Sequence, residues 1–571
     1  MTIRSWIQKA MKPIPRCHPR RNSGGPRDVH SRPWAKLWLE VLEERLAPAT
    51  LTVLNNSDGP SPGPAGSLRF TINNSAPGDT VIFNPGLAHQ TILLTNGELG
   101  INFNLTIIGL GADLLTVSGN MHSRVFNVSD GTVKITGLTM TQGFTANLLS
   151  GGRSGGGAIF NQGNLTLIDD AITNSIAKGS DGIFPGTTGF GGGIFNQGTL
   201  NVMRSTISGN QAIGGNGQSV NNSSGGGGGG GAGRGGAIYT SGILYSASTV
   251  NITDSTISGN YAIGGDGGNA NGVSGTDQRY GGNGGGNGGM GAAASMSGAG
   301  TNGSDGAVEA GGAGGGGSGA TASFNGGNGG SGGAGGGGGG GGASGPNGNK
   351  AGIGGFSTLL GGTGGTGQLK PGANQGKGGG GGGGGGLGGG IYAAESSMVT
   401  ITSSTIANNT ATGGHGGNGF NSGSPGGGAG GGIFSSFTSV SVDSTIIAMN
   451  IDNGPGGAMA NMDPDVSGFG FDDKGYNLIG NTGGSSGFMA MTTITGADPH
   501  LNALGNYGGP TQTMSLRFNS PALNSGDPAN GVTIDERGAV RGASTGPGSM
   551  ANAGTTPDIG AWEASSLNIV T

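Results

Sequence analysis

A two-part repeat in the middle of the chain constrains the fold more than any other feature of this sequence. Its first half reads Gly-Gly-(Ala)-Ile followed by Phe or Tyr, and its second half reads Ser-Thr-Ile. Each half includes a short run rich in Ile, Val, Thr and aromatic residues with alternating polarity, which is typical of a strand with one buried face. The first half occurs at Gly156–Phe160, Gly192–Phe195, Gly235–Tyr239, Gly389–Tyr392 and Gly431–Phe434. The second half occurs at Ser205–Ile207, Ser255–Ile257, Ser404–Ile406 and Ser444–Ile446, with a degenerate copy at Ala171–Thr173.

The strands of this repeat are joined by sharp glycine and asparagine turns, and no helical stretch separates them. A fold that alternates strands with helices is therefore not expected, and short strands stacked coil upon coil satisfy the pattern. The sequence predicts an all-β protein, a single-stranded right-handed parallel β-helix with a long Gly-rich insertion. We expect roughly 12–16 coils, about 60–75 Å in length at the spacing of stacked strands.

Stacking of the repeats predicts columns of identical residues inside the β-helix. Asparagines three residues beyond the second isoleucine predict a hydrogen-bonded ladder at one corner; the alternative is that each satisfies only its own turn. The first isoleucine column would contain Ile159, Ile194, Ile238, Ile391 and Ile433. The second would contain Ile172, Ile207, Ile257, Ile406 and Ile446, and the ladder Asn210, Asn260 and Asn409.

Charge and composition divide the chain into segments. Residues 1–45 hold ten Lys or Arg against four Asp or Glu, whereas the rest holds 15 against 26. This break predicts a basic leader, and the mildly acidic remainder argues against nucleic acid as a partner. No apolar run of about 18 residues exists, so no transmembrane helix is expected. The predicted segments are 1–48 (leader), 49–150 (N-terminal cap and first coils), 151–262 (repeat coils), 263–388 (Gly-rich insertion), 389–480 (further coils) and 481–571 (C-terminal coils and cap).

The insertion at 263–388 holds many of the 142 glycines of this 571-residue chain. Runs such as Gly335–Gly342 and Gly378–Gly386 have no side chains with which to bury a core. We expect a disordered, flexible excursion. The alternative is an ordered Gly-rich sheet or a layer of polyproline-II-like chains.

Three groups of polar residues were weighed as sites, and none predicts a catalytic or cofactor-binding centre. Asp169, Arg204, Asp254 and Asp443 precede the second isoleucine column and predict a charge ladder, because stacked coils lie about 4.8 Å apart. Asp463, Asp465, Asp472 and Asp473 are weak calcium candidates, with a solvated acidic loop as the alternative. A structural polar cluster that closes the last coil is predicted, with an attachment or recognition site as the alternative; its members are Asp535, Arg537, Arg541, Asp558 and Glu563. We expect Arg537 or Arg541 to pair with Asp558 or Glu563, and Ile559 and Trp562 to plug the core.

Several stretches resemble known bacterial surface proteins. The Gly-Gly-Ala-Ile repeats resemble those of polymorphic outer-membrane proteins, and Ser67–Phe83 looks like the opening of related β-helices. The C-terminal region resembles the domain called choice-of-anchor Q, and Val41–Thr50 resembles the end of a leader. The resemblance implies a pectate-lyase-like solenoid and a secreted or surface location, but no particular activity. The matching C-terminal stretches are Asp498–Leu501, Gly505–Thr513, Ser520–Pro528, Asp535–Gly538 and Pro557–Glu563.

These observations favour a non-enzymatic protein, extracellular or on the cell surface, that serves in adhesion, envelope structure or ligand display. Its expected partners are cell-envelope components or polysaccharide. Two alternatives stay open. One is a carbohydrate-active β-helix enzyme of the polysaccharide lyase or hydrolase kind, and the other is a passive spacer that displays the glycine-rich insertion.

Overall fold

The computed structural model divides the chain into two units at residue 47, and the predicted leader lies outside the described residues apart from Pro48. The described residues are 48–146, 155–181, 188–220, 225–242, 246–270, 290–292, 299–306, 324–344, 350–357, 360–369, 377–454, 464–542 and 556–564.

Parallel strands stack into five sheets, and this arrangement is a right-handed parallel β-helix with a long Gly-rich insertion. Sheet I contains Thr50–Val53, Thr80–Phe83, Leu105–Ile108, Thr132–Thr136, Asn164–Ile168, Thr199–Met203, Ser248–Thr253, Ser397–Thr402, Ser439–Asp443 and Phe471–Asp473. Sheet II contains Gln90–Leu93, Leu115–Ser118, Thr139–Thr141, Ala171–Thr173, Thr206–Ser208, Thr256–Ser258, Thr405–Ala407, Ile446–Ala448, Leu478–Ile479 and Ile494–Thr495. Sheet III contains Leu99–Ile101, Phe126–Val128, Ile159–Asn161, Ile194–Asn196, Ile238–Thr240, Ile391–Ala393, Ile433–Ser435 and Val466–Gly468.

Two further sheets extend the middle coils. Sheet IV contains Phe144–Ala146, Ile176–Lys178, Gln211–Ile213, Tyr261–Ile263, Thr410–Thr412 and Ile451–Asn453. Sheet V contains the short strands Gly189–Phe190, Gly233–Arg234, Gly386–Leu387 and Gly428–Ala429. Because Gly386–Leu387 pairs with Gly233–Arg234, the coil after the insertion resumes a few residues before the predicted boundary at 389.

The number of coils is smaller than predicted. Sheets I and II each hold ten strands within the described residues, which corresponds to about 45 Å at the 4.8 Å spacing rather than 60–75 Å. The expectation of 12–16 coils was wrong because it counted the C-terminal residues as coils. Those residues lie against the side of the β-helix instead, as described below.

Both isoleucine columns exist, and one of them is shifted at its last member. Ile159, Ile194, Ile238, Ile391 and Ile433 pair in register and are fully buried. In the second column Ile406 pairs with Ile447, so Ile446 pairs with Thr405 and faces outward. A shift of one residue moves a strand's side chains to the opposite face, and the Ser-Thr-Ile-Ile stretch is apolar in either register.

Side-chain ladders connect the coils at two corners. The predicted asparagine ladder is present: the backbone N–H of Asn210 donates to Asn260 Oδ1 at 3.0 Å, and that of Asn260 to Asn409 Oδ1 at 3.1 Å. It continues through Asn450 to Asp465, at 2.9 and 3.0 Å. A second ladder, which was not predicted, runs through Asp170, Ser205, Ser255, Ser404, Thr445 and Asn477.

The two ends of the β-helix core are covered by different elements. The α-helix Leu68–Asn73 begins after the N-cap Ser67 and buries Leu68 and Ile72 in the core, within the segment 49–150 that was predicted to contain the N-terminal cap. A 3-10 turn, Pro85–Leu87, follows. At the other end Phe488 packs against the core beside Phe471, with ring centres 5.2 Å apart. Ile559 and Trp562 pack elsewhere, so the prediction that they plug the core was wrong.

The glycine-rich residues form an ordered bundle, which we call the glycine layer. Chain 377–385 lies at its centre and hydrogen-bonds to six neighbouring chains. They are 225–232, 264–270, 336–344, 361–369, 413–420 and 421–427. The N–H groups of Gly379 and Gly382 donate to Gly341 and Gly338, one contact every three residues, which is the period of a polyproline-II-like chain. Disorder was therefore the wrong expectation for the described part of the insertion.

Glycine is required inside this layer because neighbouring backbones occupy the space of a side chain. A Cβ at Gly381 would overlap the carbonyl oxygen of Gly228, and one at Gly382 that of Gly362. The outer chains carry a side chain at every third position, where the chain faces solvent. Further outer chains of the layer are 214–220, 299–306, 324–332 and 350–357.

Candidate functional site

The C-terminal residues 498–542 and 556–564, which we call the tail, dock on the outer face of sheet II. Ile207, Ile257 and Ile406 of sheet II point inward, so the residue before each of them points outward. Thr206 and Thr256 at these outward positions hydrogen-bond to the tail, and Ala561 N donates to Thr405 Oγ1 at 3.0 Å. Gly560 N also donates to the carbonyl oxygen of Ser444 at 2.8 Å. We call this contact region the joint.

Apolar residues form one part of the joint. The displaced Ile446 lies here, covered by Ile559 and Trp562 of the tail. This packing is separate from the interior core and explains why Ile446 is buried although it faces outward. Its buried members are Ala407, Ile446, Ala448, Leu478, Leu501, Met514, Leu516, Ala522, Ile559 and Trp562.

Glu536 lies at the centre of the polar part of the joint and is fully buried. Its carboxyl group accepts hydrogen bonds from Thr206 Oγ1 at 3.2 Å, from Thr256 Oγ1, and from Thr511 Oγ1 at 3.3 Å. Burial raises the pKa of Glu536 to about 8, although hydrogen bonds from these hydroxyls and from Thr513 oppose the shift. Burial therefore favours the protonated form of Glu536, whereas the surrounding hydroxyl groups favour the ionised form.

Arg541 joins the tail to the β-helix through Asp254. Arg541 Nη2 lies 2.8 Å from Asp254 Oδ1, and both side chains are almost fully buried. Arg541 also donates to the carbonyl oxygen of Gly560 at 2.7 Å and lies 3.5 Å from Glu563 Oε2. Burial raises the pKa of Asp254 to about 6, while Arg541 opposes that rise.

Asp535 and Arg537 form a second ion pair within the tail, 2.6 Å apart and buried. Asp535 also accepts from the backbone N–H groups of Ala539 at 2.8 Å and Glu563 at 3.0 Å. The guanidinium of Arg537 lies over the ring of Trp562, 4.7 Å from its centre. These contacts hold residues 535–539 against 562–563.

Asp558 and Glu563 are two buried carboxyl groups that neighbour each other. Asp558 accepts from the N–H groups of Asn524 and Ala564 at 2.7 and 2.6 Å. Glu563 accepts from those of Asp558 and Gly542 at 2.8 and 2.9 Å. Burial, and then the charge of Glu563, raise the pKa of Asp558 to about 7, and burial raises that of Glu563 as well.

All five residues of the predicted polar cluster thus lie in the joint, and the predicted pairing is met by Arg541 and Glu563, although both arginines have closer partners. Arg537 pairs with Asp535, and the principal partner of Arg541 is Asp254, 287 residues away. Of the expected pairs, only Arg541–Glu563 forms, at 3.5 Å. Glu536 was not among the predicted site residues. The threonine of the repeated Ser-Thr-Ile indicates an outward hydroxyl group, but no local pattern indicates which residue covers it.

One ion pair of the predicted charge ladder forms between adjacent coils. Arg204 pairs with Asp169 at 2.8 Å, on coils that are adjacent in the stack. Asp254 turns to Arg541 in the tail instead. Asp443 lies outside the column, because the one-residue shift places it opposite Thr402. Burial raises the pKa of Asp443. The prediction was wrong for Asp443 because it aligned Ile446 with the core column.

The calcium candidates do not converge. Asp465 ends the asparagine ladder, Asp472 pairs with Lys474 at 2.7 Å, and Asp473 accepts from Thr493 Oγ1 at 2.7 Å. Asp463 lies outside the described residues. Within the described part of the chain no group of three or more His, Cys, Asp or Glu residues is arranged to hold a metal ion.

A second polar arrangement lies on the solvent side of the glycine layer. Side chains at every third position accept hydrogen bonds from the backbone of the next chain, so they are held in fixed rows. Asp266 N donates to Asn216 Oδ1 and His415 N to Asp266 Oδ1, both at 2.8 Å. We call these rows the polar face; its members are Asn216, Ser219, Asp266, Asn269, His415 and Asn418.

The strand pairing and the two polar arrangements define the class of this protein as a parallel β-helix with a docked tail and a glycine layer. No protein-family model and no curated protein matches the chain. The crystal structure of pectate lyase Pel9A is similar over 90% of this chain and 96% of its own, with 10% identity and a TM-score of 0.28. A TM-score this low supports no argument, so the fold rests on the pairing described above. Among the described residues no helix has the length and apolar character to span a membrane.

Proposed function

We propose that this protein is a non-enzymatic β-helix, secreted or on the cell surface, whose polar face binds a carbohydrate of the cell envelope. The observation that carries the proposal is the fixed geometry of the exposed rows. Asn418 N donates to Asn269 Oδ1 at 2.7 Å, and Asn269 N donates to Ser219 Oγ at 2.9 Å. Polar groups that are already ordered lose little entropy on binding, which favours recognition of a hydroxyl-rich polymer.

The resemblance of the tail to an anchor domain and of the repeats to bacterial surface proteins supports the same location. The joint supports a structural rather than a catalytic role for the buried acids. Glu536, Asp535 and Asp558 each accept hydrogen bonds from groups that hold the tail in place.

Binding to isolated cell envelopes and to insoluble polysaccharides tests the proposal. We expect replacement of Asp266, Asn269 and Asn418 by Ala to weaken binding at least about tenfold, equivalent to about 1.4 kcal/mol. The control is Asn251→Ala, which removes a half-buried amide on sheet I that is not part of those rows. Equal binding by both variants would overturn the proposal. If binding were lost only when the outer chains of the glycine layer are removed, the passive-spacer alternative would be supported.

A carbohydrate-active enzyme is the second candidate, since carboxyl groups with raised pKa values are common in glycoside-cleaving sites. Asp254 and Glu536 are the relevant groups here, with pKa values of about 6 and about 8. Release of reducing ends or unsaturated products from the same polysaccharides, lost in Glu536→Gln, would favour the enzyme over our proposal.

A further inference from the structure

We propose that the tail is an acid-latched strap, which stays docked on sheet II while the buried carboxyl groups of the joint are protonated and is released as they ionise. This goes beyond the proposed binding function, since it concerns the face of sheet II rather than the polar face. The inference rests on the charges that the fold encloses in the joint.

The joint encloses more acidic groups than basic ones. Its five carboxyl groups are those of Asp254, Asp535, Glu536, Asp558 and Glu563, and all five are buried. Its two guanidinium groups are those of Arg537 and Arg541. Full ionisation would therefore leave three negative charges without a balancing cation. An uncompensated buried charge is costly, so the docked tail is stable only while some of these groups carry protons.

The charged groups around the joint do not balance this excess. On the β-helix side the charge of Arg204 lowers the pKa of Asp254, but Arg204 also pairs with Asp169 at 2.8 Å. Around Asp443 the charges of Asp527 and Asp473 are negative, and that of Lys474 opposes them. Glu536 faces the hydroxyls of Thr206, Thr256, Thr511 and Thr513, and it has no ion pair among the residues that the structure describes.

The titration of these groups gives the direction of the switch. Burial raises the pKa of Asp254 to about 6, of Asp558 to about 7 and of Glu536 to about 8. Each docked pKa lies above its ordinary value, so the docked state holds protons that the released tail would give up. Docking is therefore at full strength below about pH 4 and weakens as the pH rises through the range of 6 to 8.

Release would uncover a row of hydroxyl groups on the outer face of sheet II, together with apolar residues such as Ile446. Thr206, Thr256 and Thr405 occupy successive coils of sheet II, and each contacts the tail directly. The β-helix beneath has its own interior core, which the tail does not enter. The strap can therefore leave without opening the β-helix.

Trp562 is a direct reporter of docking because it is buried in the joint. The other three tryptophans, Trp6, Trp34 and Trp38, would be replaced by Phe in the full chain. We expect acrylamide quenching of Trp562 to rise severalfold between about pH 6 and about pH 9 while the far-ultraviolet circular dichroism stays constant. Constant quenching over this range, or simultaneous loss of the β signal, would overturn the proposal.

The variant Glu536→Gln tests the latch itself, because the amide is close in shape and does not ionise. We expect the midpoint of release to move up by about one pH unit or more. Asp498→Asn is the matched control, since this tail carboxylate is exposed and should leave the midpoint unchanged. Equal midpoints for Glu536→Gln and the unmodified protein would contradict the latch.

Hydrogen exchange of the unmodified protein provides a measurement that does not depend on either variant. Exchange rates are first corrected for the intrinsic rate at each pH. Protection of residues 511–513 and 535–541 should then fall severalfold with rising pH, while sheet III keeps its protection. Parallel loss of protection in both regions would mean general unfolding and would count against the strap. Because this readout does not involve carbohydrate, its failure would leave the proposed binding function untouched.

Discussion

The Asn260 side chain illustrates how single residues hold successive coils together. Its Nδ2 donates to the carbonyl oxygen of Ile207 at 2.9 Å and to Asn409 Oδ1 at 2.9 Å. Its Oδ1 accepts from both the backbone N–H and the side chain of Asn210 at 3.0 Å. The residue is fully buried, so each of these groups would lose a partner without access to water if the amide were removed.

We expect Asn260→Ala to lower the free energy of unfolding by about 2–5 kcal/mol, because several buried donors and acceptors lose their partners. Asn251→Ala removes one half-buried hydrogen bond to Asn201 Oδ1 and should cost less than about 1.5 kcal/mol. Denaturant unfolding followed by circular dichroism measures both. Similar losses for the two variants would show that the ladder adds little to the local turns.

At the scale of the element, the glycine layer explains where the sequence tolerates side chains. The central chain 377–385 contacts other chains on all sides, and its residues from Gly378 onward are glycines. The chain 264–270 has one solvent side and carries Asp266 and Asn269 there, three residues apart. The three-residue period of the chain therefore decides which positions require glycine.

We expect Gly381→Ala to destabilise the glycine layer by at least about 2 kcal/mol, because its Cβ would overlap the Gly228 carbonyl oxygen and a packed backbone cannot move aside easily. Gly100→Ala is the matched control, since a Cβ there meets nothing within 4 Å. Hydrogen exchange of residues 225–232 and 377–385 reports the effect. Unchanged protection in Gly381→Ala would contradict this account of the layer.

The β-helix and the glycine layer are continuous in the whole molecule. Strands Gln211–Ile213, Tyr261–Ile263 and Thr410–Thr412 of sheet IV lead directly into chains of the layer. Chains that return from the layer lead into sheet V. The β-helix nevertheless has an interior core of its own, built from the inward residues of sheets I, II and III. We therefore expect the β-helix to fold without the outer chains.

Replacing residues 271–376 by a short Gly-Ser turn tests this expectation. The ends to be joined are close, because chains 264–270 and 377–385 are neighbours, with Gly381 N donating to Gly268 O at 2.9 Å. We expect the far-ultraviolet spectrum of the β-helix to be retained, since closure of a short loop costs little. Exchange in 377–385 should accelerate, because two of its six neighbouring chains are gone. Failure of the variant to fold would show that the outer chains stabilise the core itself.

Local pattern determined much of this protein from the sequence alone. The alternation of polar and apolar residues around Ile159, Ile194 and Ile238 identified a buried column, because side chains along a strand point alternately to its two faces. The constant spacing of Asn210 and Asn260 from the second isoleucine likewise identified the ladder. Both features depend on residues a few positions apart, repeated from coil to coil.

Tertiary structure alone decided what covers each surface. The Ser-Thr-Ile-Ile stretch is consistent with two registers, and packing of the tail selects the one in which Ile446 faces outward. Asp254 pairs with Arg541, 287 residues further along the chain, and a pattern of neighbouring residues cannot indicate a contact at that separation. The glycine layer had no signal of hydrophobic periodicity, because glycine has no side chain whose burial could show which groups pack together. A sequence pattern shows that a face is buried, whereas the partner that buries it follows from the path of the chain in three dimensions.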